Sequence, residues 1–268
     1  MQKHITIPER FRGPPTSGNG GYVAGAFAEQ VQQNPDQAIE VTLRAPIPLN
    51  AAMSVHRHDA ADRASVTIEI DADSTSALST TKTLIAEVRL QPFSLDIPTP
   101  PTYQQALAIR HLAVPLQQRQ DSPMPGSLGL HPICFCCGAG HPTGLQVYAA
   151  PLQTGQVAAA WQTRAEWADS DGLLPARFLW TALDCPGQLA YFHAGQLTGL
   201  LGRMTARVHG TVRAGEPLVV TAWPINVDGK KHFAGSAIFN QKGELIAQAI
   251  AVWIGKRAMT EGASPSTT

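Results

Sequence analysis

Two groups of residues in this 268-residue chain have the types and the setting for chemistry. The first is Ser17-Gly18-Asn19-Gly20-Gly21, a turn that leads into a run of small and apolar residues at helical spacing. At a helix start the first backbone N–H groups lack intrahelical partners, and the dipole favours negative charge there. Gly20 and Gly21 carry no side chain, so a ligand can approach those amides closely. The second is Asp184, which Trp180, Ala182, Leu183 and Leu189 place inside an apolar helix. Aspartate is a poor helix-interior residue and costly to bury unpaired, which raises its pKa and suits a general base or a nucleophile. Donors for a developing oxyanion and a carboxylate that activates water are what attack on a carbonyl requires. Each group also has a plainer reading: Asn19 as the N-cap of a tight turn, and Asp184 as a solvated residue on the helix's outer face. A capping turn needs one good residue, whereas three glycines stand between positions 18 and 21. Pro186-Gly187 after the aspartate frees a backbone carbonyl and bends a helix, as happens where a site is shaped.

The elements that must position these residues occur in a repeated order. The first helix is predicted from Tyr22 to about Gln33, stopped by Asn34-Pro35-Asp36. Alternating stretches follow at Ile39–Arg57, Ala64–Ile70 and Thr81–Gln91, with Val66, Ile68 and Ile70 alternating against Thr67 and Glu69 as in a half-buried antiparallel strand. A proline-rich linker with a short helical segment, Tyr103–His111, then crosses the outside of the molecule. In the second half, Leu145–Ala150 and Gln156–Gln162 read as a hairpin around Thr154-Gly155. A helix follows from Pro175 to His193. Strands are expected at Met204–Thr211, Pro217–Pro224, His232–Asn240 and Glu244–Ile254, with Lys242-Gly243 as a hairpin turn. Val41–Ile47 and Ala206–Val212 occupy the same place after their helices. One helix followed by antiparallel strands, twice over, predicts an α+β protein of two fused units: 1–95, a linker at 96–129, then 130–257, with a disordered tail at 258–268. Two such sheets pairing edge to edge would enclose both helices.

At this point the motifs resemble a known family. Gly13-Pro14-Pro15 with Gly18-Asn19-Gly20-Gly21-Tyr22 is similar to the N-terminal half of double-hotdog acyl-CoA thioesterases. Cys134-Phe135-Cys136-Cys137-Gly138 and His141-Pro142-Thr143-Gly144-Leu145 resemble the Cys-x-x-Cys-Gly…Asn-Pro-x-Gly-Leu stretch of single-domain relatives. Ala182-Leu183-Asp184 looks like the acidic position, and Gly243–Ala249 like the last hairpin. The resemblance implies two hotdog units, a sheet wrapped on a helix in each, and a site at their interface for acyl-CoA or acyl-carrier substrates. It implies that the glycine-rich helix start of one unit polarises the thioester carbonyl and that a carboxylate from the other unit acts on it. The first helix has the glycines, with only Glu29 at its far end. The second has Asp184 but begins Asp171-Gly172-Leu173-Leu174-Pro175. One complete site per chain is therefore expected, built from Asn19, Gly20, Gly21 and Asp184, with the other pseudo-site degenerate.

Two departures qualify the activity. The glutamine and the hydroxyl that accompany the aspartate in the family fall near Ala251 and Leu201, while Thr205 and Gln248 are out of register. A non-catalytic acyl-thioester binding protein is thus an alternative, and a hotdog dehydratase-type lyase another, although no histidine lies beside either helix start. Tyr22, Thr205, Arg203, Lys230 and Lys231 are the substrate-side candidates, with Arg203, Arg207 and the two lysines facing coenzyme A phosphates or simply solvated. No cofactor and no metal are expected. A single Cys-x-x-Cys between His131 and His141 lacks the second ligand pair of a structural zinc site. Cys185 beside Asp184 could be a nucleophile, but no histidine is placed to activate it, and it reads as a small buried helix residue. His56, His58, His209 and His232 fall on strands and read as ordinary histidines.

Lysine plus arginine equals aspartate plus glutamate, 20 of each, so no net field draws the chain to nucleic acid or anionic membrane. The beginning reads as free of a signal peptide, no apolar run is long enough to span a membrane, and four cysteines do not make a disulfide framework. A cytoplasmic protein, with further pairing of its units into homo-oligomers, is the expectation.

Overall fold

The computed structural model describes residues 3–32, 36–60, 63–71, 82–117 and 131–255. The expected helix stop at Asn34-Pro35, the later part of the linker and the tail after Lys256 lie outside the described residues. The strands are β1 (Lys3–Thr6), β2 (Ala38–Leu43), β3 (Ala52–Ala60), β4 (Arg63–Asp71), β5 (Lys82–Gln91), β6 (Ala150–Pro151), β7 (Val157–Gln162), β8 (Leu200–Val208), β9 (Pro217–Asp228), β10 (Lys231–Asn240) and β11 (Leu245–Ile254). The helices are α1 (Gly20–Ala28), α2 (Tyr103–Ile109), α3 (Val114–Gln117), α4 (Ala176–Ala182) and α5 (Cys185–His193).

The eleven strands among the described residues form one antiparallel sheet in the order β1-β3-β4-β5-β2-β8-β11-β10-β9-β7-β6. The first five strands in sequence lie on one side of a seam where β2 pairs with β8, from Ile39 opposite Ala206 to Thr42 opposite Arg203. These are the two strands that follow the helices in each half, so the repeated order in the sequence becomes a pairing in space.

Period-two patterning sets the inner face. Val66 and Ile68 of β4, Val41 of β2, and Ala247, Ala249 and Ala251 of β11 are buried beneath α1, α4 and α5 in one continuous core. In β9 the run Leu218–Trp223 is buried on both faces, because Leu95, Ile97 and Tyr103 cover the outer face over Val219, Trp223 and Phe239. That is where the segment after β5 goes. It ends in α2, which starts with a capping box between Thr102 and Gln105.

Several expected boundaries move. The Ile39–Arg57 stretch is two strands, since Pro46 and Pro48 cannot donate to a ladder. Leu145–Ala149 is not a strand, and β6 is only Ala150–Pro151. Helix α1 begins two residues earlier than expected and ends at Ala28. The helix predicted over Pro175–His193 is two helices, broken at Leu183-Asp184. Pro186 explains the break: it has no N–H for the carbonyl of Ala182, and its ring would collide with that carbonyl in a continuous helix.

Candidate active site

The break puts Asp184 where no mid-helix residue could be. Its backbone (φ −79°, ψ −82°) is outside the helical region, and it stands at the N-cap position of α5, not inside a helix. The carbonyls around the break find side-chain partners: Ser236 Oγ donates to the Leu183 oxygen at 2.9 Å, and Cys136 Sγ donates to the Thr181 oxygen at 3.1 Å.

Helix α1 comes to the same point from the other half. Its starting turn is tied at both ends, with Asn19 N–H donating to the Phe11 oxygen at 2.8 Å and Gly18 N–H to the Ile47 oxygen at 3.1 Å. Asn19 caps the helix by accepting from the Tyr22 N–H at 2.9 Å. The helix then packs antiparallel against α4 at very short range. A Cβ on Gly21 would lie 2.5 Å from the Asp184 Cβ, and one on Gly25 would lie 2.7 Å from the Arg177 Cα. Only glycine allows this approach.

The result is one specific contact: the Gly21 N–H donates to Asp184 Oδ2 at 2.8 Å. Asp184 is 2% exposed, and its Oδ1 has no hydrogen-bond partner. Burial pushes its pKa up to about 7, with the Gly21 N–H pulling the other way. Of the two amides expected to face a substrate carbonyl, Gly21's is therefore occupied by the carboxylate. Gly20's is the first of the helix and has no intrahelical partner.

A cleft of about 230 Å³ opens over this contact. Asn19, Gly20, Asp184 and Cys185 line it on the helix side, and Leu43–Ile47, Leu200–Gly202, Trp253 and Ile254 wall it from the sheet. Both halves of the chain contribute. The far end of the helix pair is different: Glu29 Oε1 meets Arg177 Nε at 3.1 Å. Burial raises the Glu29 pKa while Arg177 opposes the shift.

No family model matches the sequence, and no curated protein does. Solved structures do. The chain is similar to a conserved protein of unknown function with a hot dog fold from Alicyclobacillus acidocaldarius, 11% identical over 96% of this chain and 94% of that one, TM-score 0.58. It is similar to the tesB protein of Mycobacterium avium subs paratuberculosis, 12% identical over 95% and 92%, TM-score 0.54. A third is the dehydratase domain of PpsC from Mycobacterium tuberculosis, solved in complex with C12:1-CoA, 14% identical over 94% and 93%, TM-score 0.54. The fold is a hot dog fold. At these identities the likeness is one of architecture, and the chemistry of this hot dog protein rests on its own residues.

Not every expected residue meets the cleft. Tyr22 stacks on Phe11 with ring centroids 3.9 Å apart, within an aromatic group that includes Phe135 and Phe178. Thr205 and Arg203 sit at the seam on the outer face of the hot dog sheet. Thr205 Oγ1 is 3.4 Å from Glu40 Oε2, and Arg203 Nε donates to Thr42 Oγ1 at 3.0 Å. Lys230 and Lys231 are exposed at the β9–β10 turn. Ala251 and Leu201 are both buried, so the two positions matched to the family's glutamine and hydroxyl are apolar here, and Leu201 lines the cleft. Gln248 is 2.8 Å from His209, away from the lining.

Cys185 is buried in a helix as read, but it also lines the cleft with the Leu43–Ile47 loop and Trp253, which residue type did not mark as lining. The Pro46 and Pro48 punctuation was the available signal for the loop. The cysteines form a further candidate for metal binding: Cys134, Cys137 and Cys185 have sulfurs within 4.8 Å of one another. His141 does not join them, since its Nε2 faces the Arg10 oxygen at 2.7 Å and its Nδ1 accepts from Thr143 N–H.

Proposed function

We propose that this chain is a double hot dog acyl-thioester hydrolase, with residues 1–95 and 130–257 as its two units and a single site at their join. The observation that carries the reading is the Gly21 N–H···Asp184 Oδ2 bond at the floor of an apolar cleft, with Oδ1 buried and free. Gly21 holds one carboxylate oxygen, which aims the other. In the reaction Oδ1 accepts a proton from water as the water oxygen attacks the thioester carbon. The carbonyl oxygen takes up negative charge beside the Gly20 amide and the N-terminal end of α1. The carbon–sulfur bond then breaks, and the leaving thiolate receives the proton from Asp184. Acyl-CoA is the substrate class suggested by the PpsC complex, and an acylated carrier protein offers the same bond.

The Glu29–Arg177 pair stands at the pseudo-equivalent position, with an arginine in place of the second glycine and a glutamate in place of the aspartate. A carboxylate already engaged by a guanidinium is less available to a water molecule, which fits one working site per chain.

A panel of acyl-CoAs, from acetyl to long-chain, tests this with the wild type and Asp184→Asn. The expected loss on the best substrate is about 100-fold or more. Equal rates in the two proteins would exclude the mechanism. A binding-only role is favoured by one observation, the apolar Leu201 and Ala251. Its signature is saturable acyl-CoA binding by the wild type with no turnover of any substrate. No histidine lines the cleft among the described residues, which weighs against the dehydratase reading.

A further inference from the structure

All four cysteines of the chain are buried together beneath the cleft floor. Cys134, Cys136 and Cys137 arrive on the segment that precedes β6, and Cys185 opens α5. That segment is fixed to both halves: Phe135 N–H donates to the Arg12 oxygen at 2.8 Å, and the Cys136 thiol to the Thr181 oxygen of α4 at 3.1 Å. Its Cys-x-x-Cys-Gly turn closes with Gly138 N–H on the Cys134 oxygen at 2.7 Å.

The sulfurs of Cys134, Cys137 and Cys185 all lie within 4.8 Å of one another, and Cys134 and Cys185 are 3.7 Å apart. Around a tetrahedral zinc with metal–sulfur bonds of about 2.3 Å, sulfurs stand roughly 3.8 Å apart. The Cys134–Cys185 pair already has that spacing, and the distances to the Cys137 sulfur exceed it by no more than about 1 Å. Donors point at the sulfurs as well. Asn19 Nδ2 lies 3.7 Å from Cys134 Sγ and 4.0 Å from Cys185 Sγ. Asn19 cannot turn its oxygen to them instead, because Oδ1 holds the Tyr22 N–H. The neighbouring sulfurs and burial raise all three thiols above the ordinary cysteine range, and donors on sulfur steady the thiolates that form when a metal displaces their protons. Cys136 is outside the group, its thiol directed to the Thr181 oxygen.

We propose that Cys134, Cys137 and Cys185 bind one zinc ion as three thiolates, clasping the start of α5 to the 134–137 turn. Binding replaces three S–H protons by one Zn²⁺, releasing three protons and leaving the fourth position to a small ligand. The site joins the carboxylate-bearing break to the rest of the core, and it does not depend on which reaction the cleft performs.

The test uses the untagged full chain purified under reducing conditions without chelator. The expected result is one zinc per chain by elemental mass spectrometry. After zinc removal, added Co²⁺ should bind one to one with a thiolate-to-cobalt charge-transfer band. Cys137→Ser and Cys185→Ser should each abolish that band, while Cys136→Ser should keep it. Should the serine variants fail to fold, the titration of metal-free wild type decides alone. A folded wild type, by circular dichroism, that carries only trace zinc and gives no charge-transfer band overturns the proposal. So does an intact mass two hydrogens low from a Cys134–Cys185 disulfide in the purified protein.

Discussion

Asp184 and Gly21 set what each other can be. The carboxylate keeps one oxygen in place only because the α1 backbone comes within hydrogen-bond range, and it does so only because position 21 has no side chain. Gly21→Ala should therefore separate α1 from α4, destabilising the protein by about 1–3 kcal/mol and abolishing hydrolysis together with the Asp184 contact. Gly25→Ala is the matching control. Its added methyl would meet Arg177 and Trp180, not the cleft. We expect a similar loss of stability, about 1–3 kcal/mol, with activity per folded molecule largely kept. Urea unfolding and initial rates on the same preparations separate the two. Equal loss of activity in both would mean that helix spacing, and not the Gly21 bond, governs the chemistry.

At the scale of elements, the helix break is the device that delivers the carboxylate. The break leaves the Leu183 oxygen to be satisfied from β10, while the Thr181 oxygen takes the Cys136 thiol in addition to the Asp184 N–H. Ser236→Ala removes one of these donors at a buried position. The expected cost is about 1–2 kcal/mol in stability, with a fall in kcat and little change in KM as the aim of Asp184 loosens. An unchanged kcat would show that the break holds itself. The same element shows how far the sequence could be read. Asp184 and the glycines were legible as candidates, and Pro186 as a disruption, because residue type alone carries those signals. That the disruption would fall before the aspartate, and turn a helix-interior residue into a cap, was not. It depends on partners 45 to 53 residues away in the chain, at Cys136 and Ser236. Strand alternation likewise gave β4 and β5 well. It failed over Leu145–Ala149, where an apolar run is buried as irregular chain held by bonds to Phe135 and Cys136. Cys185 looked like filler for the same reason: its neighbours come from the other end of a long connection.

For the whole molecule, the seam between β2 and β8 carries the site, because Asn19–Gly21 and Asp184 lie on opposite sides of it. Beneath the outer face Glu40 ties that seam together. It is 4% exposed, lies 2.7 Å from Arg89 and 3.7 Å from Arg203, and accepts from Gln91 at 2.7 Å. Glu40→Gln would set an amide against those donors. Because Arg89 and Arg203 are themselves partly in solvent, the expected cost is modest, about 1–2 kcal/mol. Unfolding should stay a single transition if the halves melt together. Two separated transitions in the variant would mean that the seam alone couples them.

The ends of the sheet have a consequence for how the protein behaves in a crowded solution. At one end stands β1, four residues long with Lys3 and His4 exposed, and at the other β6, two residues long and ending in a proline that has no N–H to offer. Neither is a good template for a further strand, which limits edge-to-edge pairing at these two ends. The seam strands β2 and β8 are each paired on both sides. Opening the seam would turn both into edges, so keeping the join closed guards against strand-to-strand association as well as assembling the cleft.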